Sequence, residues 1–356
     1  MKLPRSRYTF GLLFALVCFY VFAYPVMRIS HWAGESYGIG WYGAAALWAL
    51  GFAGMWYSFS GPKMLVRYVM VHWMGASFIF ASVTLCYELI RFFTDFDDAA
   101  TAPWLLISGS LLVLGAIITS HHLSVKNTRI SSSKIQQSKR VVQISDVHIG
   151  SRQRGFMRRV VSRINGLEPD FVVITGDLID SSSVEIESLQ ALEDINARTF
   201  FSVGNHERYA DLSKAISMLE TLGVVPLRQS VSLEENLQFI GIDDADHPEQ
   251  VSRHLPGLGV ADDCFTILLY HRPMGWEAAV EHGVDLMLSG HTHNGQIFPF
   301  NFLVRQQFAR ISGLYQSDKS YLYVNSGTGT WGPLMRLGTR NEISCFDLVP
   351  EQTGHS

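Results

Sequence analysis

Ser145-Asp146-Val147-His148 directly follows Val141-Val142-Gln143-Ile144, an apolar run that reads as a buried strand. An Asp and a His at i and i+2, just past a strand end, can both turn toward one metal ion. Taken alone the pair is weak, because a loop Asp capping a helix beside a surface His has the same spelling. It has company. Gly176-Asp177, Gly204-Asn205-His206-Glu207, His271 and Gly290-His291-Thr292-His293 follow in order, each behind its own β-like run. The first two gaps are each close to the roughly 30 residues of a strand–helix–strand unit.

The chain has 356 residues, enough for more than one domain. Its average composition, 47% hydrophobic and 17% charged with a net charge of −4, hides two unlike halves. Between Tyr8 and Ile90 only Arg28, Glu35, Lys63, Arg67 and Glu88 are charged, and six of the eight Trp lie before residue 105. The remainder carries the charge and turn residues of a water-soluble domain. The reading is a membrane region over 1–122, a linker or edge strand over 123–139, a globular domain over 140–350 and a tail over 351–356. Cys18, Cys86, Cys264 and Cys345 show no Cys-x-x-Cys spacing, so buried thiols in a reducing compartment are expected rather than disulfides.

Four membrane spans are expected, near 8–27, 38–58, 66–90 and 103–121, each close to the roughly 20 apolar residues that cross a bilayer core. Lys2, Arg5 and Arg7 ahead of the first also suit a secretory leader, but no small-x-small cleavage site clearly ends it and three more spans follow. Those three residues, together with Lys63, Arg67, Lys126, Arg129, Lys134, Lys139 and Arg140, all fall on one side of the threading. The opposite loops offer Arg28 and Arg91, the latter near Asp95, Asp97 and Asp98. The excess of basic residues therefore puts both ends and the catalytic domain in the cytoplasm. Glu88 and Arg91, at i and i+3 near a span end, read as a pair snorkelling at the interface rather than as part of a polar path. His72 lies deeper, and a helix-packing hydrogen bond is its expected use.

In the soluble half, a helix is expected near 154–166, with Phe156, Val160, Val161 and Ile164 on its apolar face. Ten Lys and Arg fall between residues 121 and 163, against the single acid Asp146. That stretch reads either as a solvated helix face or as a patch for anionic lipid head groups or a phosphorylated substrate. Phe171–Ile174 and Thr199–Val203 are further strands. Between them a Ser182-x-x-Glu185 capping box opens an expected helix with Ile186, Leu189, Leu192 and Ile195 on one face. A helix over about 211–222 and a hairpin near 224–242 come next. Asp243-Asp244-Ala245-Asp246 reads as a solvated loop rather than a cation site, since no EF-hand spacing is present. Strands before His271 and before His291, and a last one over Tyr321–Asn325 opening the turn Gly327-Thr328-Gly329, complete an α/β domain with its active groups at strand ends.

The candidate metal ligands are thus Asp146, His148, Asp177, Asn205, His271, His291 and His293, enough for two divalent ions, with Asp177 as the natural bridge. Imidazole with carboxylate suits manganese, iron, zinc or cobalt better than an all-oxygen magnesium site. Two divalent ions bring four positive charges and the two carboxylates return two negative ones, a surplus that suits a phosphate and acidifies a bound water. His206 follows a ligand and is placed to hydrogen-bond phosphate and to protonate a leaving group. Arg152, Arg336 and the Asn325–Gly329 turn are further candidates for substrate contact; a purely structural arginine is the plainer reading.

Asp146-x-His148, Gly176-Asp177, Gly204-Asn205-His206-Glu207, His271 and Gly290-His291-x-His293 together resemble the motif set of the calcineurin-like metallophosphoesterases over about residues 140–348. Ser289–Phe300 is similar to the bacterial membrane-associated branch of that family. The resemblance implies an α/β/β/α fold, a β-sandwich flanked by helices, here preceded by a four-helix transmembrane region. It implies that Asp146, His148, Asp177 and His293 hold one metal and Asp177, Asn205, His271 and His291 the other, with His206 in the leaving-group role. Glu207 stands where Asp is common and Asn294 where Gly is frequent; neither removes a ligand, so both are expected to bear on substrate fit.

The expected activity is a phosphodiesterase or pyrophosphatase held at the cytoplasmic face of a bacterial inner membrane. Anchoring by four spans makes lipid-linked or envelope-precursor phosphates the expected substrates, for example a UDP-acylated sugar such as UDP-diacylglucosamine. The lipid bilayer is an expected partner and nucleic acid is not; oligomeric state is left open. The competing reading is a metal-binding membrane scaffold or regulator that kept the fold without the chemistry.

Overall fold

The computed structural model describes residues 7–34, 38–60, 64–152 and 154–351. Lys2, Arg5, Glu35, Lys63 and the tail beyond Glu351 lie outside them, as does the side chain of Arg7. The chain forms two compact units. One comprises Met1–His121 with two short segments from far along the chain, Ile297–Pro299 and Gly332–Gly338; the other comprises His122–Gln296, Phe300–Trp331 and Thr339–Ser356.

The first unit is helical: α1 (Arg7–Cys18), a π-helical turn (Phe19–Ala23), α2 (Tyr24–Trp32), α3 (Gly40–Ser60), α4 (Met64–Arg91) and α5 (Asp98–His121). The π turn sits just ahead of Pro25, whose missing N–H interrupts the regular ladder. Among the described residues three stretches are long and apolar enough to cross a membrane, Thr9–Trp32, Leu65–Arg91 and Asp98–His121. The count falls short of the expected four. The stretch expected at 38–58 does form α3, but its Gly, Trp and Tyr residues dilute its hydropathy.

Inside this unit the expected Glu88–Arg91 pair does not form. Glu88 instead accepts hydrogen bonds from Tyr24 and Arg28 of α2, and Arg91 pairs with Asp98 at 2.8 Å. Partners on neighbouring helices outcompete the i+3 neighbour because packing between helices brings them into shorter reach. His72 donates from Nδ1 to Tyr68 O at 2.7 Å, and its Nε2 accepts the Leu334 N–H at 3.1 Å. Its Nε2 therefore binds the Gly332–Gly338 segment. Arg336 lies in the same segment, fully buried, with its own N–H donated to Ala116 O at 2.8 Å. It lies in the unit that also holds the apolar helices.

Among its described residues the second unit holds twelve strands: β1 (Leu123–Ser132), β2 (Lys139–Ile144), β3 (Phe171–Thr175), β4 (Arg198–Ser202), β5 (Val224–Pro226), β6 (Ser230–Glu234), β7 (Leu237–Ile242), β8 (Phe265–Tyr270), β9 (Leu286–Ser289), β10 (Gly313–Ser317), β11 (Ser320–Val324) and β12 (Asn341–Pro350). They make two six-stranded sheets, in the orders β1-β12-β2-β3-β4-β5 and β10-β11-β9-β8-β7-β6. Helices α6 (Arg154–Asn165), α7 (Asn205–Tyr209), α8 (Leu212–Thr221), α9 (Gln250–Leu258), α10 (Trp276–Glu281) and α11 (Asn301–Gln307) complete it.

Strand alternation sorts the side chains into layers. Val142, Ile144, Val172, Ile174 and Phe201 pack with Phe156, Val160, Ile164 and Leu219 of α6 and α8. Their neighbours Val141, Phe171, Val173 and Phe200 face inward against Phe239, Ile267, Leu269 and Leu288 of the second sheet. That sheet's outer residues, Ile240, Leu268, Tyr270 and Met287, pack on Val251 and Leu255 of α9 and Ala279 of α10. Runs buried on both faces need no polar alternation, which is why β2, β3 and β8 read as continuous hydrophobic stretches. The layers run helix, sheet, sheet, helix.

Leu123–Ser132 takes the edge-strand alternative, outermost in its sheet and paired parallel along its whole length with β12. One local expectation differs. The segment after Ser182 forms two 3₁₀ turns, Ile186–Ser188 and Gln190–Asp194, instead of an α-helix. The reason is in the spacing. Ile186, Leu189, Leu192 and Ile195 recur every third residue, the period of a 3₁₀ helix rather than that of an α-helix.

Candidate metal centre

The expected ligands stand at the carboxyl ends of the strands. Asp146 and His148 follow β2, Asp177 follows β3, Asn205 opens α7 after β4, His271 follows β8, and His291 and His293 follow β9. Five of these seven take left-handed backbone conformations: Asp146 (φ 53°), His148 (57°), Asp177 (52°), His291 (72°) and His293 (49°). Each costs on the order of 1 kcal/mol in an L-residue, and such costs gather where function over-determines the backbone. Two glycines make the loops fit together. A Cβ on Gly204 would lie 2.2 Å from Asp177 Oδ1, and one on Gly290 2.2 Å from Asp146 Oδ2.

The side chains converge in overlapping groups: Asp146, His148 and His293; His148, Asp177 and His206; Asp177, His271 and His291. In each, the potential ligand atoms lie within 4.8 Å of one another. His293 Nε2 stands 3.0 Å from His148 Nε2 and 3.4 Å from Asp146 Oδ1. His271 Nε2 stands 3.1 Å from Asp177 Oδ2, 3.1 Å from Asn205 Oδ1 and 3.2 Å from His291 Nδ1. The other nitrogen of His271 is committed, donating to Thr175 O at 2.8 Å, which turns Nε2 inward. Carboxylate, amide and imidazole acceptors aimed at common points, with their backs hydrogen-bonded, are the donor set of a divalent-metal centre.

The same crowding shows in the protonation of the imidazoles. Burial disfavours the charged form of His271, yet Asp177 and Asp146 outweigh it and push its pKa up to about 10. For His148, burial is likewise outweighed, chiefly by Asp180, and the pKa rises to about 9. His291, without such relief, is driven down to about 3 by burial and by His271. A proton on His271 or His148 occupies the position suited to a cation. The metal-free protein therefore binds more protons than the loaded one, and metal affinity should climb as pH rises toward 9–10. Calorimetric titration of manganese at pH 7, in buffers of different ionisation enthalpy, should register proton release; buffer-independent heats would contradict the assignment.

Asp180 escapes the sequence reading. It sits three residues after Asp177, where a second carboxylate looks like an ordinary loop residue. In the structure it is buried and accepts from His148 Nδ1, from Ser151 Oγ and, at 2.8 Å, from His206 Nδ1. Burial would raise its carboxyl, but His148 and His206 hold it well below the usual range. With its Nδ1 bound there, His206 presents Nε2 on the side of Asp177, 3.9 Å from Oδ2.

Glu207 braces the ligand loops. Fully buried, it accepts the N–H groups of Asp177 (3.0 Å), Leu178 (2.7 Å), Ile179 (3.0 Å) and Gly204 (2.9 Å). Asn294 has φ 52°, a conformation that Gly adopts freely and Asn tolerates, so its departure from the common pattern has a backbone origin. The Asn325–Gly329 turn also supports the site from behind. Thr328 N–H donates to Ser145 O at 2.7 Å and Gly329 N–H to Asp146 O at 2.9 Å. Arg152 is buried, its guanidinium over the Phe156 ring at 4.5 Å, while Arg154, Arg158, Arg159 and Arg163 are exposed on α6.

The acidic stretch is a solvated loop only in part, at the exposed Asp246. Asp243 and Asp244 are buried, and Asp244 pairs with Arg208 at 3.0 Å and Arg272 at 2.7 Å. Since Arg208 follows His206 on α7 and Arg272 follows His271, this carboxylate ties two ligand-bearing loops together.

Comparison with known proteins agrees with this geometry. Residues 139–295 match the family model described as calcineurin-like phosphoesterase. An uncharacterized metallophosphoesterase of Campylobacter jejuni is 32% identical over 238 residues, 63% of each chain. One of Aquifex aeolicus is 32% identical over 242 residues, covering 64% of this chain and 92% of the relative. A "transmembrane protein with metallophosphoesterase domain" of Danio rerio is 34% identical over 267 residues, 67% of this chain and 60% of its own length. The chain thus spans less than two thirds of the Campylobacter and Danio relatives.

Proposed function

The chain belongs to the calcineurin-like metallophosphoesterases, and from that premise we propose that it is a membrane-anchored, dinuclear-metal-dependent phosphoester hydrolase. The observation that carries the reading is the position of Asp177, whose carboxylate lies beside His271 and His291 on one side and His148 and His206 on the other. In this proposal Asp146, His148, Asp177 and His293 hold one ion, and Asp177, Asn205, His271 and His291 the second. Divalent ions supply positive charge to the phosphate oxygens and acidify a water. The chain's own residues do the rest. The ligand loops, braced by Glu207, Gly329 and Asp244, fix where the phosphate sits. His206, oriented through Nδ1 by Asp180, passes a proton from Nε2 to the leaving oxygen as the water oxygen bonds to phosphorus and the bond to the leaving group breaks.

We place the catalytic unit at the cytoplasmic face of a bacterial inner membrane, with α3 as a fourth span, on the distribution of basic residues. The substrate class this favours is a lipid-linked or envelope-precursor phosphodiester or pyrophosphate, a UDP-acylated sugar being one form. Manganese, iron, zinc and cobalt all suit the donor set. The test is release of p-nitrophenol from bis-p-nitrophenyl phosphate by the detergent-purified full chain, after chelation and again with each metal restored. Metal-dependent turnover is expected. Protein that binds two ions and turns over nothing would favour the scaffold reading instead.

A further inference from the structure

Two exposed aromatic side chains lie close to His206. The Tyr209 ring centroid is 6.0 Å from that of the imidazole and the Trp331 centroid 6.3 Å, and their residues are 65% and 44% exposed. Single exposed aromatics are ordinary on protein surfaces. Two that flank the same candidate general acid are a different matter, because whatever His206 protonates must lie beside them.

Both are held in place. Gln296, three residues past His293, accepts the Trp331 N–H at 2.9 Å and donates to Trp331 O at 3.0 Å. Gly329, two residues earlier, is bonded to Asp146 O. The indole is therefore tied by its main chain to the ligand loops. Tyr209 closes α7, the turn that starts at Asn205 and that Glu207 anchors through Gly204. Arg208, between His206 and Tyr209, is engaged with Asp244 and Asp246 at 3.0 Å each, so the cation nearest in sequence is committed elsewhere. What the leaving-group side offers is two aromatic rings on anchored main chain and a proton donor, a surface that gains by covering apolar area.

We propose that Tyr209 and Trp331 form an apolar clamp that receives an alkyl or acyl chain on the leaving-group side of the substrate, and so select a lipid phosphoester over a small polar one. This rests on the phosphoesterase reading of the site and names the residues that would meet the apolar part of its substrate.

The test uses metal-loaded full chain in nanodiscs, titrated with methyl-, butyl- and hexylphosphonate below their aggregation range. Binding is read by calorimetry and by inhibition of bis-p-nitrophenyl phosphate turnover. Hexylphosphonate should bind about tenfold or more tightly than methylphosphonate, the gain expected from about two buried methylenes. In Tyr209→Ala/Trp331→Ala the ratio should fall to within about threefold, while Trp331→Phe, which keeps a ring, should retain most of it. Comparing variants with wild type cancels partitioning of the longer chain into the lipid, and metal content reports that each variant is folded. Equal binding of all chain lengths by the wild type, or a chain-length preference that survives the double substitution, overturns the clamp. Failure of all three phosphonates to bind or to inhibit would overturn the phosphoesterase reading itself, and the clamp with it.

Discussion

Asp177→Ala should lower metal-dependent phosphodiester turnover by at least about 10³-fold, because several kcal/mol of charge stabilisation depend on the ions it helps to hold and each 1.36 kcal/mol is tenfold. Asp177 Oδ1 accepts the His206 N–H at 2.8 Å, and Oδ2 stands 3.1 Å from His271 Nε2. Removing the carboxylate therefore takes away a ligand to both proposed ions and the anchor of the α7 backbone. Metal analysis of the purified variant should find well under two ions per chain. Asp177→Asn keeps the acceptor for His206 N–H but loses the negative charge, and separates misfolding from lost metal binding. A folded Asn variant with full metal content and wild-type turnover would remove Asp177 from the centre.

His206→Ala is expected to leave metal content intact and to reduce turnover by about 10²–10⁴-fold with an alkoxide leaving group, the range for loss of a general acid. With p-nitrophenolate, which departs readily without a proton, the loss should be much smaller. The contrast between an activated aryl ester and an alkyl ester is thus the decisive readout, and equal losses with both would mean that His206 acts by binding phosphate rather than by giving a proton. Asp180→Asn should fall between wild type and His206→Ala, since it frees the ring orientation without removing the ring, an effect of about 10–100-fold.

These effects concern residues of unequal visibility in the sequence. Asp146-x-His148 and His291-x-His293 announce themselves because few other reasons put imidazoles and carboxylates at such spacing after apolar runs. Asp180 did not, since its meaning depends on His148 and His206, which are 32 and 26 positions away. Strand β12 is similarly hidden. Its Glu342 and Ser344 interrupt the hydrophobic pattern, yet both are buried and satisfied, Glu342 accepting from Tyr323 Oη at 2.6 Å and from Ser344 Oγ at 2.8 Å. A polar residue whose partner lies on another strand looks like surface until the partner is known. Asp244 misleads in the same way. Four acidic and small residues in a row spell a solvated loop, and only Arg208 and Arg272, brought in from α7 and the end of β8, reverse that reading.

Ile297–Pro299 and Gly332–Gly338 carry a practical consequence for anyone wishing to cut this molecule in two. Ile297, Met335 and Leu337 pack with Ile79 of α4 and with Val113 and Ala116 of α5. The chain therefore does not run as a membrane anchor followed by an enzyme, but returns to the anchor twice after the enzyme has begun. A fragment starting near residue 122 would carry away these apolar side chains without the surfaces they cover, and would be prone to aggregate through them. Solubility of such a fragment is a matter of redesigning those two excursions, not of choosing where to begin.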